Sequence, residues 1–209
     1  MSTSAMRFLQ QENIRLKKET EALEKESQTL YHYLDMIKEL YWTGQQIAAK
    51  EYPLDALDQL LYKVIDVIGA RDGSLSYLDE ESGELVFLIV HGDLGQQLPG
   101  YRIRHDIGIA GWVVDNHKPI IVNNPRQDWR FSEEIDEEFS FMTHSIMSIP
   151  IISEDQLIGV ISVLNKRNNE FTEADVALLL VFSQVAVTTV GEMKSRLATN
   201  ELVKAESPD

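Results

Sequence analysis

Residues 6–41 repeat with a period of seven, and this repeat constrains the chain more than any other feature. Leu9, Leu16, Leu23, Leu30 and Ile37 share one heptad position. Met6, Asn13, Thr20, Ser27, Leu34 and Tyr41 share the other seam position. Neither Gly nor Pro interrupts the run before Gly44. A stripe of this kind is buried when two helices wind around each other, so the pattern predicts a coiled-coil dimerisation helix over residues 1–50. In a parallel pair, Glu12 attracts Lys17 of the partner subunit, whereas Glu19 repels Glu24 of the partner subunit. Asn13 on the seam favours a two-stranded parallel register. The other reading is a lone amphipathic helix packed on its own domain.

The rest of the chain punctuates itself. Pro53 suits a first helical turn, apolar residues recur at helical spacing from Leu54 to Ile68, and Gly69 can end that helix. "DGSLSYLDEESGELVFLIVHG" reads as a hairpin in which Leu75 and Tyr77 alternate with polar neighbours. Short strands follow at 101–104 and in "KPIIVNN", with "GIAGWVV" starting a helix between them. "SEEIDEEF" reads as a short helix capped by Ser132. "SIMSIPII" and "LIGVISVLN" form a second hairpin around "SEDQ". Thr172 and Asp175 resemble a capping box opening a last helix that runs to about residue 200, leaving 201–209 as a flexible tail. The order predicts an α+β fold, an antiparallel sheet with helices packed on one face. The last helix is apolar nearly all round between Val176 and Val190, so one side can cover the sheet while the other needs a partner helix or subunit.

Composition removes several classes of function. There is no cysteine, which excludes disulfides, thiolate metal sites and cysteine nucleophiles. A formal net charge of −15 argues against direct nucleic-acid binding and against an anionic membrane surface. Residues 176–190 are too few to span a bilayer and carry four polar side chains, and the N-terminus shows no signal-peptide core. These features predict no membrane insertion and a cytoplasmic setting. The five histidines show no metal-ligand spacing and no triad neighbourhood, so no metal site and no catalytic residue is assigned. With no effector domain after residue 209, the chain is expected to be a fragment of a larger regulator or an adaptor.

"GIAGWVVDNHKPIIVNN", then "DWRF", then "SIMSIPIISEDQLIGVISVLNKRNNEFTEAD" together resemble the GAF domain, a small-molecule sensor module related to PAS folds. The resemblance covers about residues 53–195. It implies a GAF/PAS-like sensor domain over 51–200, joined to a signalling helix, with an enclosed pocket beside the helix that "GIAG" begins. Matched onto cyclic-nucleotide-binding members, Ile109 and Ala110 present amides at the helix start, while Phe131, Asp136, Phe139 and Thr143 form the lid and far wall. Ser162 lies on the floor. Phe139 stands where those relatives carry a polar residue. Asn165, Lys166, Phe171 and Asp175 match a phosphodiesterase GAF signature, with Val176 in place of its final Glu. In the family the Lys–Asp pair is structural. The cysteine-dependent members, free methionine-R-sulfoxide reductase and cysteine-linked bilin proteins, do not fit this chain.

On the residues alone, the two glycines of "GIAG" serve either a pocket or merely a tight strand-to-helix turn. Asp136 is either a ligand acceptor or one acid among five on a solvated helix face. Trp112 is expected to be largely buried. The resemblance implies a non-enzymatic regulatory domain whose unidentified ligand alters helix packing in a homodimer built through its N- and C-terminal helices. The alternative is a ligand-free dimerisation module, its pocket filled by Phe131, Phe139, Phe141 and Met142.

Overall fold

The fold is described from a computed structural model, which covers residues 3–47, 53–168 and 170–205. The chain divides into two units, Met1–Lys38 and Glu39–Asp209. The described residues of the first, 3–38, belong to a single long helix, α1 (Thr3–Ile47), as the uninterrupted heptads require. Its stripe leucines are bare within the chain: Leu9, Leu16, Leu23 and Leu30 are each more than half exposed.

The second unit is built on one six-stranded sheet, all of whose pairings are antiparallel. Helix α2 (Pro53–Ile68) opens with its proline and ends at Gly69, whose positive φ of 77° lets Gly69 and Ala70 donate back to the Asp66 and Ile65 carbonyls. Strands β1 (Asp72–Asp79) and β2 (Glu84–His91) form the first hairpin, and β3 (Arg102–Arg104) flanks it. Helix α3 (Gly108–Asn116) leads to β4 (Ile120–Val122). Helix α4 (Glu134–Glu138) precedes the second hairpin, β5 (Ile146–Ser153) and β6 (Gln156–Leu164). Glu154 and Asp155 make its turn, both at positive φ, matching the twist of a two-residue hairpin loop. The strand order is β3-β2-β1-β6-β5-β4, so the first and last strands meet in the middle.

Helices cover both faces of this sheet, which corrects the expectation of one. The reason lies in the central strands: β1, β5 and β6 are buried along nearly their whole length on alternate residues of either side. On one face α2 and α5 (Glu173–Ala205) pack against β1, β5 and β6, where Gly73 lies against Ile65. On the other, Ile109 and Val113 of α3 join Leu85, Ile146, Leu157 and Val160 in a second core.

Helix α5 extends to Ala205, past the expected end near 200, and residues 206–209 lie outside the described residues. Its segment Glu173–Gly191 is, by length and composition, apolar enough to cross a membrane, which corrects the reading of this region as too short. Half of that segment is buried within the fold, with Leu179 and Phe182 fully enclosed. Packing within the fold accounts for the apolarity of that buried half.

Candidate ligand-binding cavity

The strand–helix junction explains "GIAG". Ile107 is the N-cap of α3 and offers no side-chain bond to the first-turn amides. Gly108 adopts φ +74°, a left-handed conformation that reverses the chain into the helix. Gly111 answers a different need: a Cβ there would lie 2.5 Å from the His105 carbonyl oxygen and 2.9 Å from the Asp106 carbonyl carbon. The tight-turn reading therefore describes Gly111, while Gly108 also borders the cavity below. Gly111→Ala is expected to destabilise the fold by about 1–3 kcal/mol. Gly191→Ala, where nothing lies within 4 Å, should do no such harm; chemical denaturation of both variants checks this.

Trp112 is half-buried, against expectation, and the Arg130 guanidinium lies 5.2 Å from its ring centroid. Arg130 also grips Asp128 through two hydrogen bonds, which hold the Asp128 carboxyl below its usual range. The ring is thus covered by a cation held in place. The buried positions of α3 are Ile109, Gly111, Val113 and Val114.

Between the α3 face of the sheet and the segment carrying α4 lies a cavity of about 120 Å³. One water needs on the order of 10–15 Å³ on the same measure. Ile109, Ala110, Phe131, Asp136, Thr143 and Ser162 all border it. Phe139 does not. Its ring packs edge-on against Tyr101, centroids 5.2 Å apart, in a small core with Phe87, Leu94 and Leu98. Ser132 does not cap α4 in the expected way: the N-cap is Glu133, and the Ser132 hydroxyl accepts only a 3.3 Å bond from the Glu134 N–H.

Asp136 is the acid of α4 that turns inward, 6% exposed. Its carboxylate accepts from the Thr143 N–H at 2.9 Å, the Thr143 hydroxyl at 2.7 Å and Arg126 at 2.6 Å. Arg126 also pairs with Glu133 and lies over the Phe131 ring. The far wall is therefore clasped to the loop after β4. At the other end of α4, Glu138 accepts from the Tyr101 hydroxyl, which raises the Tyr101 pKa to about 12.

Ser162 was the one floor residue named from the sequence; the part of the floor that β1 supplies was missed. Asp72, Ser74 and Ser76 share the cavity face of β1, and all three border the space. Ser74 stands opposite Ser162 in the ladder, and Ser162 shares a 2.7 Å hydrogen bond with Ser148. The signal is present in "DGSLS", whose polar residues alternate with Leu75 and so share one face of the strand.

The signature residues after β6 tie the sheet to α5. Asn165, at positive φ, donates to Asp72 and the Met142 carbonyl and accepts from the His144 N–H. Lys166 pairs with Asp175, which is fully buried. Asp175 and Thr172 exchange the reciprocal bonds of a capping box. Phe171 is buried, its N–H donating to Asn123 at 2.9 Å.

Known proteins resemble this chain in sequence and in fold. The family model for the GAF domain matches residues 53–189. "Probable 3',5'-cyclic phosphodiesterase pde-5" of Caenorhabditis elegans is 26% identical over 141 residues, covering 61% of this chain and 19% of that one. "Dual 3',5'-cyclic-AMP and -GMP phosphodiesterase 11" of Drosophila melanogaster is 37% identical over 82 residues, covering 38% of this chain and 6% of that one. The chain thus spans a fifth or less of the length of these relatives. Among solved structures, the GAF domain of an Acinetobacter phosphoenolpyruvate-protein phosphotransferase superposes with a TM-score of 0.65 at 21% identity, covering 80% of this chain and 97% of that one. Free methionine-R-sulfoxide reductase of Neisseria meningitidis superposes with a TM-score of 0.62 at 18% identity, covering 79% and 91%. With an antiparallel sheet covered on both sides, a cavity beside α3 and a family match over most of its length, the chain belongs to the GAF domain family.

Proposed function

We propose that this chain is a regulatory small-molecule-sensing domain, without catalysis of its own, which works as a parallel homodimer. The observation that carries the reading is the unfilled cavity. The ligand-free alternative needs Phe131, Phe139, Phe141 and Met142 to occupy it. Phe131 and Phe141 only border it, Phe139 packs on Tyr101, and Met142 is 54% exposed. The relatives named as cyclic phosphodiesterases favour a regulatory role coupled to another activity. A cytoplasmic setting fits the acidic composition.

Ligand contact with Ala110, Thr143 and Ser162 would alter the seating of α3 and of the clasped α4 segment. The buried bonds from Asp72 through Asn165 and from Lys166 to Asp175 offer a path to the start of α5. A ligand can shift helix packing only by its difference in affinity for the two arrangements. The bare heptad stripe of α1 supports pairing with a second copy of this chain as the output of the device.

Native mass spectrometry of the purified protein, with thermal-shift screening of nucleotides, amino acids and related metabolites, tests the reading. At least one compound is expected to bind and raise the melting temperature. Ala110→Trp, which places a large side chain at the cavity wall, is expected to abolish that shift. A protein that carries and accepts no ligand would leave the dimerisation module as the function.

A further inference from the structure

We propose that the cavity selects a cationic ligand, a small amine on an apolar ring-bearing body, and that Asp72 receives its nitrogen. This rests on reading the cavity as a ligand site. The residues bordering it include three carboxylates, Asp72, Glu134 and Asp136, one histidine, and neither lysine nor arginine. Asp136 is already compensated by Arg126. Asp72 is not: it is 5% exposed, and among the described residues no cation lies within ion-pair distance of it.

Its two oxygens accept from neutral donors, the Asp93 N–H at 3.0 Å and the Asn165 amide at 2.9 Å. An ionised carboxylate offers about four acceptor sites, so roughly two remain open. A buried charge held only by neutral donors is a poor arrangement in an apolar surround, and an incoming ammonium improves it. Ser74 and Ser76 follow Asp72 along the same face of β1, so the polar strip continues from the carboxylate into the cavity. Ser76 is engaged with the Val160 carbonyl, and Ser162 with Ser148. The opposing walls, among them Phe87, Leu98, Ile103 and Ile146, are apolar and suit a ring. The free amides at the start of α3 pull the other way, but a helix end carries only roughly half a positive charge, set against the full charge of Asp72. The chain's net charge of −15 adds to the preference for cations at low salt.

The test uses the whole chain and four probes, followed by calorimetry and thermal shift: 2-phenylethylamine, 2-phenylethanol, 3-phenylpropanoate and cyclic GMP. The amine is expected to bind more tightly than the alcohol by at least about tenfold, because its ammonium pairs a full positive charge with the carboxylate where the alcohol offers a neutral donor. Asp72→Asn should close that gap by weakening amine binding more than alcohol binding. The comparison within the unmodified protein needs no variant, so it stands even if Asp72→Asn fails to fold. Equal affinity for amine and alcohol, or tighter binding of the carboxylate or of cyclic GMP, would overturn the proposal while leaving the cavity a ligand site. Absence of amine binding at millimolar concentration overturns it too. A chain that accepts none of the four and carries nothing by native mass spectrometry would end the ligand-site reading as well.

Discussion

Replacing Asp175 by alanine is expected to destabilise the sensor domain by about 3–5 kcal/mol, the range for removing one partner of a buried ion pair. In a chain of this size that lowers the melting temperature by on the order of 10 °C. Asp175 is fully buried and accepts from three donors: the Lys166 ammonium, the Thr172 N–H at 2.7 Å and the Thr172 hydroxyl at 2.9 Å. Alanine removes the helix cap of α5 and strands a lysine whose side chain is only 12% exposed. The lysine cannot swing freely to water, because it also sits over the Phe171 ring, 5.7 Å from its centroid. The cause can be isolated. If the stranded cation dominates, Lys166→Met in the Asp175→Ala background should recover much of the loss, giving a large coupling in a double-mutant cycle. A loss below about 1 kcal/mol in chemical denaturation would mean that the pair contributes no more than an exposed one does.

The same residues show how much the sequence could reveal. Thr172 and Asp175 sit three apart before an apolar run, a local pattern with a local mechanism, and the structure realises its bonds. Both hairpins and the end of α2 were legible for the same reason: turn residues such as Gly69 and Gly83 act within a few positions of themselves. The β1 side of the cavity floor was not. Alternation of polar and apolar residues in "DGSLSY" is the same whether the polar side meets water or an internal space, and only the packing of α3 and α4 over β1 decides which. Asp136 was placed beside the cavity by the family resemblance and not by its local sequence. Among the acids of "SEEIDEEF" nothing local distinguishes it; its inward turn depends on Arg126, ten residues earlier, and Thr143, seven later. Trp112 was expected in the core because it follows the turn inside an apolar helix, whereas a guanidinium from beyond the next strand covers its face. What escaped the sequence in each case is a partner brought by tertiary structure.

Leu16→Lys combined with Leu23→Lys is expected to dissociate the proposed homodimer. Both residues lie on one heptad seam of α1 and are 51% and 60% exposed in the single chain, so each has most of its side chain left to bury. Burying a leucine stabilises by about 1.5–3 kcal/mol, and a two-fold pair places four such side chains in the interface. Losing them removes at least about 6 kcal/mol, which weakens association more than about ten-thousand-fold. Four ammonium groups at adjacent layers of one seam add repulsion. Because residues 3–38 of α1 lie in a separate unit, the folded sensor domain should keep its melting transition. Analytical ultracentrifugation should therefore show a monomer of about 24 kDa where the unmodified protein sediments as a dimer. A variant that stays dimeric would move the interface to the half-exposed apolar residues of α5, such as Val181 and Val185, and remove α1 from the proposed coupling. A variant that becomes monomeric and still binds ligand with unchanged affinity would separate sensing from assembly. Thermodynamic reciprocity then requires that the ligand leave the dimer equilibrium unchanged as well, and the α1 pairing could not be its output.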